Sequence, residues 1–365
     1  MSTSTTARRQ HLITELQNRG LRLNGPEQEH VSRRGGAGPS DHQAVTIDGV
    51  TLMVPIHTQS AWRSPFSVAA EETSTKLLEN KIPVADITFA DKPRFYDFST
   101  ADGIPYSHIA TLHSKDVLAT TVLQTCIRYE SRRKACKFCS IGQSLRAGRT
   151  IAHKTPQQLA EVAKTAVELD GIKHMVMTTG TPATSDRGAA VLVESAEAIR
   201  AAVDIPIQAQ CEPPKNPTWY KRLKEAGVDS LGMHLEVVTP ALRDDLMPGK
   251  AEVSIDDYMV AFREAVAVFG RGQVSTYILA GLGDTSEAIL ETCDQLIEIG
   301  VYPFVVPFVP ITGTPLEDLN PPSSDFMESI LAPLGKRLRL AGIRSSDIKA
   351  GCGRCGACST LSEYE

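Results

Sequence analysis

Three cysteines close together could do chemistry as one unit: Cys126, then nine residues, then Cys136-Lys137-Phe138-Cys139-Ser140-Ile141-Gly142. They follow an apolar run, residues 117–124, that reads as a buried strand. Three thiolates can hold three irons of a 4Fe–4S cube and leave the fourth iron open to a small chelating molecule. Phe138, just before the last cysteine, would offer such a molecule a flat apolar face. The pattern also fits a zinc site completed by a distant histidine, or structural thiols beside a Cys-x-x-Cys pair. A second trio closes the chain, Cys352-Gly353-Arg354-Cys355-Gly356-Ala357-Cys358. Its glycines let the backbone wrap a metal closely, and its two-residue spacings resemble an iron–sulfur ligand run. A zinc knot that staples the C-terminus is the competing reading.

The whole chain frames these two trios. At 365 residues it is long enough for one large α/β domain and an extra segment. A formal net charge of −5 argues against broad nucleic-acid binding, and no apolar run is long enough to span a membrane. The first nine residues lack the apolar stretch of a secretory signal, so a cytoplasmic location is expected. Cysteines stay reduced there, and six of the eight lie in the two trios, which favours metal over disulfides.

Elements that would position the trios follow from periodicity. Leu12, Ile13 and Leu16 fit a helix over 11–19, residues 32–40 read as a loop, and 44–47 and 51–56 read as strands about an Asp48-Gly49 turn. Arg33, Arg34 and the loop's glycines could contact a substrate anion, with a solvated loop as the plainer account. From 117 onward strands alternate with helices. Strands are expected at 117–124, 175–180, 205–210, 230–236, 274–281 and 304–309. Helices are expected from Thr155-Pro156, where Thr caps and Pro starts the first turn, and at 188–202, 218–226, 255–269, 287–299 and near 327–340. Six strand–helix units predict an α/β fold, a partial (β/α)6 TIM barrel with reactive groups at the C-terminal strand ends. The expected division is an N-terminal α+β extension over 1–115, a barrel over 116–342 and a Cys-rich C-terminal tail over 343–365.

The cysteine loop resembles that of radical SAM enzymes, with the last spacing kept and the first stretched from three residues to nine. Further strand ends carry the same resemblance. Thr178-Thr179-Gly180-Thr181 stands where the family has Gly-Gly-Glu, without the acidic residue. Met233-His234-Leu235-Glu236 and Gly281-Leu282-Gly283-Asp284 resemble segments of lipoyl synthase and biotin synthase, and the stretch from Val306 through Phe308 to Glu317 resembles biotin synthase. The loop and the Cys-rich end are together similar to the radical SAM family encoded in bacterial nitrilase gene clusters. The resemblance implies a radical SAM core, a 4Fe–4S cluster on Cys126, Cys136 and Cys139, and bound S-adenosylmethionine. It assigns the cofactor's surroundings to Phe138, Thr178, Thr179, Gly180, Glu236, Gly281 and Phe308, with Glu236 on the ribose and Arg243 or Lys250 on the carboxylate. It further implies reductive cleavage to a 5′-deoxyadenosyl radical that takes hydrogen from a small molecule, in nitrile- or cyanide-related metabolism, with a flavodoxin- or ferredoxin-type electron donor.

Other residues are weighed on their own terms. Cys211, Glu212 and His234 are candidates to act on substrate; a buried thiol and a satisfied core histidine are the plain alternatives. Cys293 reads as core, while His153 and His174 have no evident partner. Arg128, Arg132, Arg133 and Lys134 form either a solvated face or a neutralising patch. Cys352, Cys355 and Cys358 are expected to hold a second iron–sulfur cluster, with zinc as the alternative. The rival function is a non-catalytic iron–sulfur or zinc protein acting as scaffold or electron carrier.

Overall fold

A computed structural model describes residues 3–23, 42–56, 58–70, 74–131 and 133–365. The loop expected at 32–40, with Arg33 and Arg34, lies outside them, as does Arg132. Among the described residues no helix is long and apolar enough to cross a membrane.

An N-terminal helix, Thr3–Arg19, packs on an antiparallel sheet of five strands. These are β1 (His42–Ile47), β2 (Val50–Pro55), β3 (Phe66–Ala70), β4 (Thr75–Glu79) and β5 (Ile82–Phe89), in the order β2-β1-β5-β4-β3. Ile47 pairs with Val50, so Asp48-Gly49 is the whole hairpin turn, and both residues have positive φ as a right-twisted two-residue turn requires. Ile13 and Leu16 of the helix are fully buried with Val45, Leu52 and Phe66 in the core of this layer.

A second sheet of seven strands curls into a half-barrel. Its strands are β6 (Thr111–His113), β7 (Val117–Thr121), β8 (His174–Thr178), β9 (Ile207–Gln210), β10 (Ser230–Gly232), β11 (Val274–Ala280) and β12 (Val301–Pro307). From β7 to β12 all neighbours are parallel and in sequence order, and β6 adds an antiparallel edge strand. This is the partial (β/α)6 barrel that the alternation predicts. Helices Pro156–Asp170, Ala189–Ala202, Thr218–Glu225, Ile255–Phe269, Ser286–Ile299 and Ser324–Ala341 provide the crossovers and outer layer. Thr155 and Gln158 make a capping box at the first of them. Prolines 303 and 307 are tolerated in β12 because it is an edge strand with a ladder on one side only.

The fourth parallel strand is shorter than its sequence suggests, and the reason lies at the site. Glu236 has φ of +66°, left-handed backbone that breaks the ladder. Side chains replace the lost bonds: His234 Nδ1 accepts the Tyr277 N–H at 3.2 Å and Thr276 Oγ1 accepts the Leu235 N–H at 2.9 Å. Pairing with β11 resumes where the Glu236 N–H donates to the Tyr277 carbonyl at 2.8 Å.

The C-terminal segment is wedged between the two layers. The Ala357 carbonyl accepts the Met53 N–H at 2.7 Å and the Gln17 amide at 3.0 Å, and Ser359 Oγ donates to the Val305 carbonyl at 2.6 Å.

Candidate functional site

The first cysteine trio lies at the C-terminal ends of the parallel strands. After β7 the chain crosses Gly180, which lies just past the end of β8. A Cβ on Gly180 would stand 2.1 Å from the Thr125 carbonyl oxygen and 3.1 Å from Cys126 Cβ, so only glycine lets Cys126 lie there. The stretched gap then makes one helical turn, Ile127–Glu130, and docks: the Ile127 N–H reaches the Thr181 carbonyl at 3.0 Å, and the Gly249 N–H reaches that of Lys134 at 3.1 Å. Arg128 is the anchor. Its Nε and Nη2 each donate to the Glu212 carboxylate at 2.7 Å, and Thr181 Oγ1 donates to the same carboxylate at 2.8 Å. Arg128 is buried at 7 % exposure, so it belongs to no solvated face; Lys134 is half exposed and pairs with Glu252. Burial would push Glu212 up, but the Arg128 hydrogen bonds hold it below its ordinary value. Removing one partner of a buried pair strands the other charge, at about 3–5 kcal/mol. Arg128→Ala is therefore expected to lower the urea midpoint of the reconstituted chain by an equivalent of ~3 kcal/mol. A midpoint within error of the parent would contradict this anchor.

The three thiols share a cavity of about 200 Å³ with Phe138, Thr178, Thr179 and Gly180. Burial pushes Cys139 up to about 12, with the neighbouring Cys126 adding to the rise. Burial, then Glu236, raises Cys136 well above its ordinary value. Three soft sulfurs lining one cavity, with burial disfavouring the thiolates of Cys136 and Cys139, fit a polynuclear cation that supplies the missing positive charge. Among the described residues no three of His, Cys, Asp and Glu converge on a single ion. A cube asks one thiolate per iron and requires no such convergence.

Glu236 and Lys250 face this cavity as an ion pair at 2.8 Å. Burial would lower Lys250, yet Glu236 raises it above its ordinary value. Asp284, in the turn after β11, fixes the segment beyond Glu236 by accepting the Val238 and Thr239 N–H groups at 2.9 Å each. Cys211 and His234 also line the cavity. Burial pushes the Cys211 thiol up to about 12 and the His234 imidazole down to about 3. A neutral His234 whose Nδ1 accepts a backbone N–H carries its proton on Nε2.

Two residues assigned to the cofactor lie elsewhere. Arg243, 2 % exposed, donates to the carbonyls of Leu235, Val237 and Val253 at 2.6, 3.1 and 3.0 Å, and so braces the loop behind Glu236. Gly281 does not line the cavity; its φ of +106° and its packing on Pro322 serve the turn. Cys293 is buried in core, as its helical neighbours suggest.

The second trio lies at the opposite, N-terminal ends of the strands. The Cys352 N–H donates to Gln208 Oε1 at 3.1 Å, and the Gly351 N–H to His174 Nδ1 at 3.2 Å, giving His174 a partner. His113, at the end of β6, has Nε2 3.4 Å from Cys358 Sγ. Burial pushes Cys355 up to about 12 and raises Cys352 and Cys358 as well, with Cys352 adding to the rise at Cys355 and both adding to it at Cys358. This donor set fits a cluster by the same chemistry as the first.

One lumen joins the two ends. A cavity of about 360 Å³ is lined by Phe138, Cys139 and Phe308 toward one end and by His113, Cys352 and Cys358 toward the other. Thr178, Gln210, His234 and Tyr277 form its wall between them. Gln210, Tyr277 and His113 carry no sequence signal of this role. Gln210 and Tyr277 sit in strands that read as buried and His113 lies just before one, and only the barrel's curvature turns them onto one interior.

Comparison with known proteins bears on this geometry. Residues 132–296 match the radical SAM superfamily profile, a span that holds Cys136, Cys139 and β8 to β11. The chain is 26 % identical over 246 residues to the bacteriochlorophyllide c C-7(1)-hydroxylase of Chlorobaculum limnaeum, covering 62 % of this chain and 61 % of that protein. It is 30 % identical over 129 residues to a probable dual-specificity RNA methyltransferase RlmN of Trichormus variabilis, covering 34 % of this chain and 36 % of the relative. The chain thus spans about three fifths of the first relative's length and about a third of the second's. A crystal structure of a radical SAM methyltransferase from Sphaerobacter thermophilus superposes with a TM-score of 0.49 at 17 % identity, covering 80 % of this chain and 81 % of that one. Over residues 132–296 the chain thus matches a radical SAM superfamily domain.

Proposed function

We propose that this chain is a radical SAM enzyme acting on a small molecule held in the lumen between two cysteine trios. The observation that carries the reading is that single lumen, reaching from Cys139 to Cys352 and Cys358. When bound, the cluster and S-adenosylmethionine supply reductive cleavage of the sulfonium and a hydrogen-abstracting radical. Cys126, Cys136 and Cys139 hold the cluster. Phe138 offers the adenine an apolar face, and the Thr178-Thr179-Gly180 edge offers hydroxyl and carbonyl acceptors to the methionyl amine. Glu236 accepts from the ribose, and Lys250 faces the carboxylate. His234 presents its Nε2–H to the substrate from the lumen wall. Arg128 and Glu212 satisfy one another and position the loop, so Glu212 is no longer a candidate to act on substrate. Arg243 and Gly281 support the loops and leave the cofactor set.

Cys352, Cys355 and Cys358 hold a second iron–sulfur cluster in this reading. A nitrile- or cyanide-related substrate and a flavodoxin- or ferredoxin-type donor remain proposals supported by sequence motifs alone. Net charge argues against a nucleic-acid partner, but a relative named as an RNA methyltransferase removes the force of that argument. The lumen's size favours a small molecule.

The test is anaerobic reconstitution with iron and sulfide, chemical reduction, and chromatography for 5′-deoxyadenosine. Reconstituted protein that binds iron and releases none with S-adenosylmethionine would overturn the reading in favour of a non-catalytic carrier. Glu236→Gln is expected to keep the iron and weaken S-adenosylmethionine binding roughly ten- to a hundredfold, the equivalent of a charge-assisted hydrogen bond worth ~1.5–3 kcal/mol. Calorimetric titration of the anaerobic protein reads this directly; an unchanged affinity at equal iron removes Glu236 from the site.

A further inference from the structure

The floor of the lumen carries a polar relay whose direction is fixed by one backbone group. The Cys352 N–H can only donate, and it donates to Gln208 Oε1 at 3.1 Å. That makes the oxygen of Gln208 the acceptor and turns its nitrogen outward, where Nε2 donates to Ser275 Oγ at 3.1 Å. Gln210 lies two residues on, on the same face of β9, and also reaches Gln208 Oε1, at 2.7 Å. An oxygen accepting from both sides requires Gln210 to present its nitrogen. Its second hydrogen then points at Cys352 Sγ, 3.1 Å away. Tyr277, on β11, lines the same cavity beside Cys352 and Cys358, and its hydroxyl has one hydrogen to offer either sulfur. The sulfur of Cys352 thus meets a preset donor, as an acceptor thiolate would require.

We infer that Gln210, through its hydrogen bond to Cys352, and Tyr277, through the hydroxyl it holds beside Cys352 and Cys358, are tuning donors that raise the reduction potential of the cluster held there. The inference rests on the reading that this trio binds an iron–sulfur cluster. The physical ground is that each electron added to a thiolate-ligated cluster increases negative charge on its sulfurs. An N–H or O–H aimed at those sulfurs stabilises the reduced form more than the oxidised one. Gln210 lines both cavities, so the relay lies between the two trios and beside any molecule held there.

Potentiometric titration of the anaerobically reconstituted full chain, monitored by electron paramagnetic resonance, tests this. Gln210→Leu and Tyr277→Phe are each expected to keep the iron of both clusters and to shift the second cluster's midpoint to more negative potential. The double variant shifts it further, while the first cluster's midpoint stays in place as an internal control. Tyr277→Phe removes one oxygen only and guards against a packing defect in the leucine variant. Second-cluster midpoints unmoved in both variants overturn the tuning role and leave the cluster reading intact. Loss of the second cluster from both variants also overturns it, because the donors would then serve assembly. Parent protein with one cluster and bound zinc overturns the cluster reading beneath it.

Discussion

Replacing Cys126, Cys136 and Cys139 together by alanine is expected to remove one cube's worth of iron and all 5′-deoxyadenosine formation. The three sulfurs line one cavity with Phe138, Glu236 and Lys250, and among the described residues no other thiol trio stands beside the residues assigned to the cofactor. The variant is expected to stay folded. Its loop is held by groups independent of the cube: the bidentate Arg128–Glu212 pair, the Ile127 N–H on the Thr181 carbonyl, and Gly249 against Lys134. Loss of iron is therefore separable from loss of structure, and far-ultraviolet circular dichroism should match the parent. Truncating these thiols removes sulfur atoms from a cavity wall and opens no core void, so the fold is kept, while the binding free energy that the cube adds to folding is lost. Iron equal to that of the parent, or persistent cleavage, would show that the cube sits elsewhere.

Much of this site is legible in the sequence because it depends on short-range patterns. Residues 255–269, expected as a helix, form Ile255–Phe269, since an apolar face and the Ser254 cap coincide there. Strand ends can be named because the alternation of apolar runs fixes where each parallel strand must stop. That brings Cys139, Thr178, Glu212 and Glu236 to one end of one barrel, where they meet. The hidden part depends on partners that only the fold brings together. Arg128 reads as one of four basic residues in a loop; its role appears only when Glu212, 84 residues on, closes over it. Arg243 has the right charge for a carboxylate, but its three backbone carbonyls come from two loops whose approach no local pattern encodes. Glu236 gives no sign of its left-handed backbone, because neighbours on β11 impose it.

The place of the second trio is the largest gap. Its cysteines and glycines announce a metal site, but its location is set by side chains on strands that read simply as buried. Gln208, Gln210, His174 and Ser230 all point toward the barrel's lower interior and receive the C-terminal segment by hydrogen bonds. A polar residue in an apolar strand signals an inward partner without naming it.

Replacing Cys352, Cys355 and Cys358 together by serine is expected to halve the iron of the reconstituted chain and to leave reductive cleavage of S-adenosylmethionine in place. Substitution is the right tool here, because truncation would remove structure. The Ala357 carbonyl accepts from Met53 and Gln17, Ser359 holds the Val305 carbonyl, and Glu365 accepts from the Tyr302 hydroxyl at 2.5 Å. A chain ending before Gly351 would lose all of these and expose the underside of the barrel, so its inactivity would say nothing about metal. Serine keeps the segment's length and its backbone contacts while replacing three soft ligands by hard, weakly binding hydroxyls. Cleavage survives because the first trio and the cofactor's surroundings stand at the other end of the strands, beyond the lumen wall of Gln210, His234 and Tyr277. Thermal stability should fall, since metal held only by the folded state adds its binding free energy to folding. Inductively coupled plasma analysis decides the metal. Iron at half the parent value with cleavage retained supports a second cluster; iron unchanged with the loss of stoichiometric zinc would replace it with a structural zinc knot. Cleavage abolished at half iron would mean that the electron for the first cluster passes through the second, and the two trios could no longer be treated as independent sites.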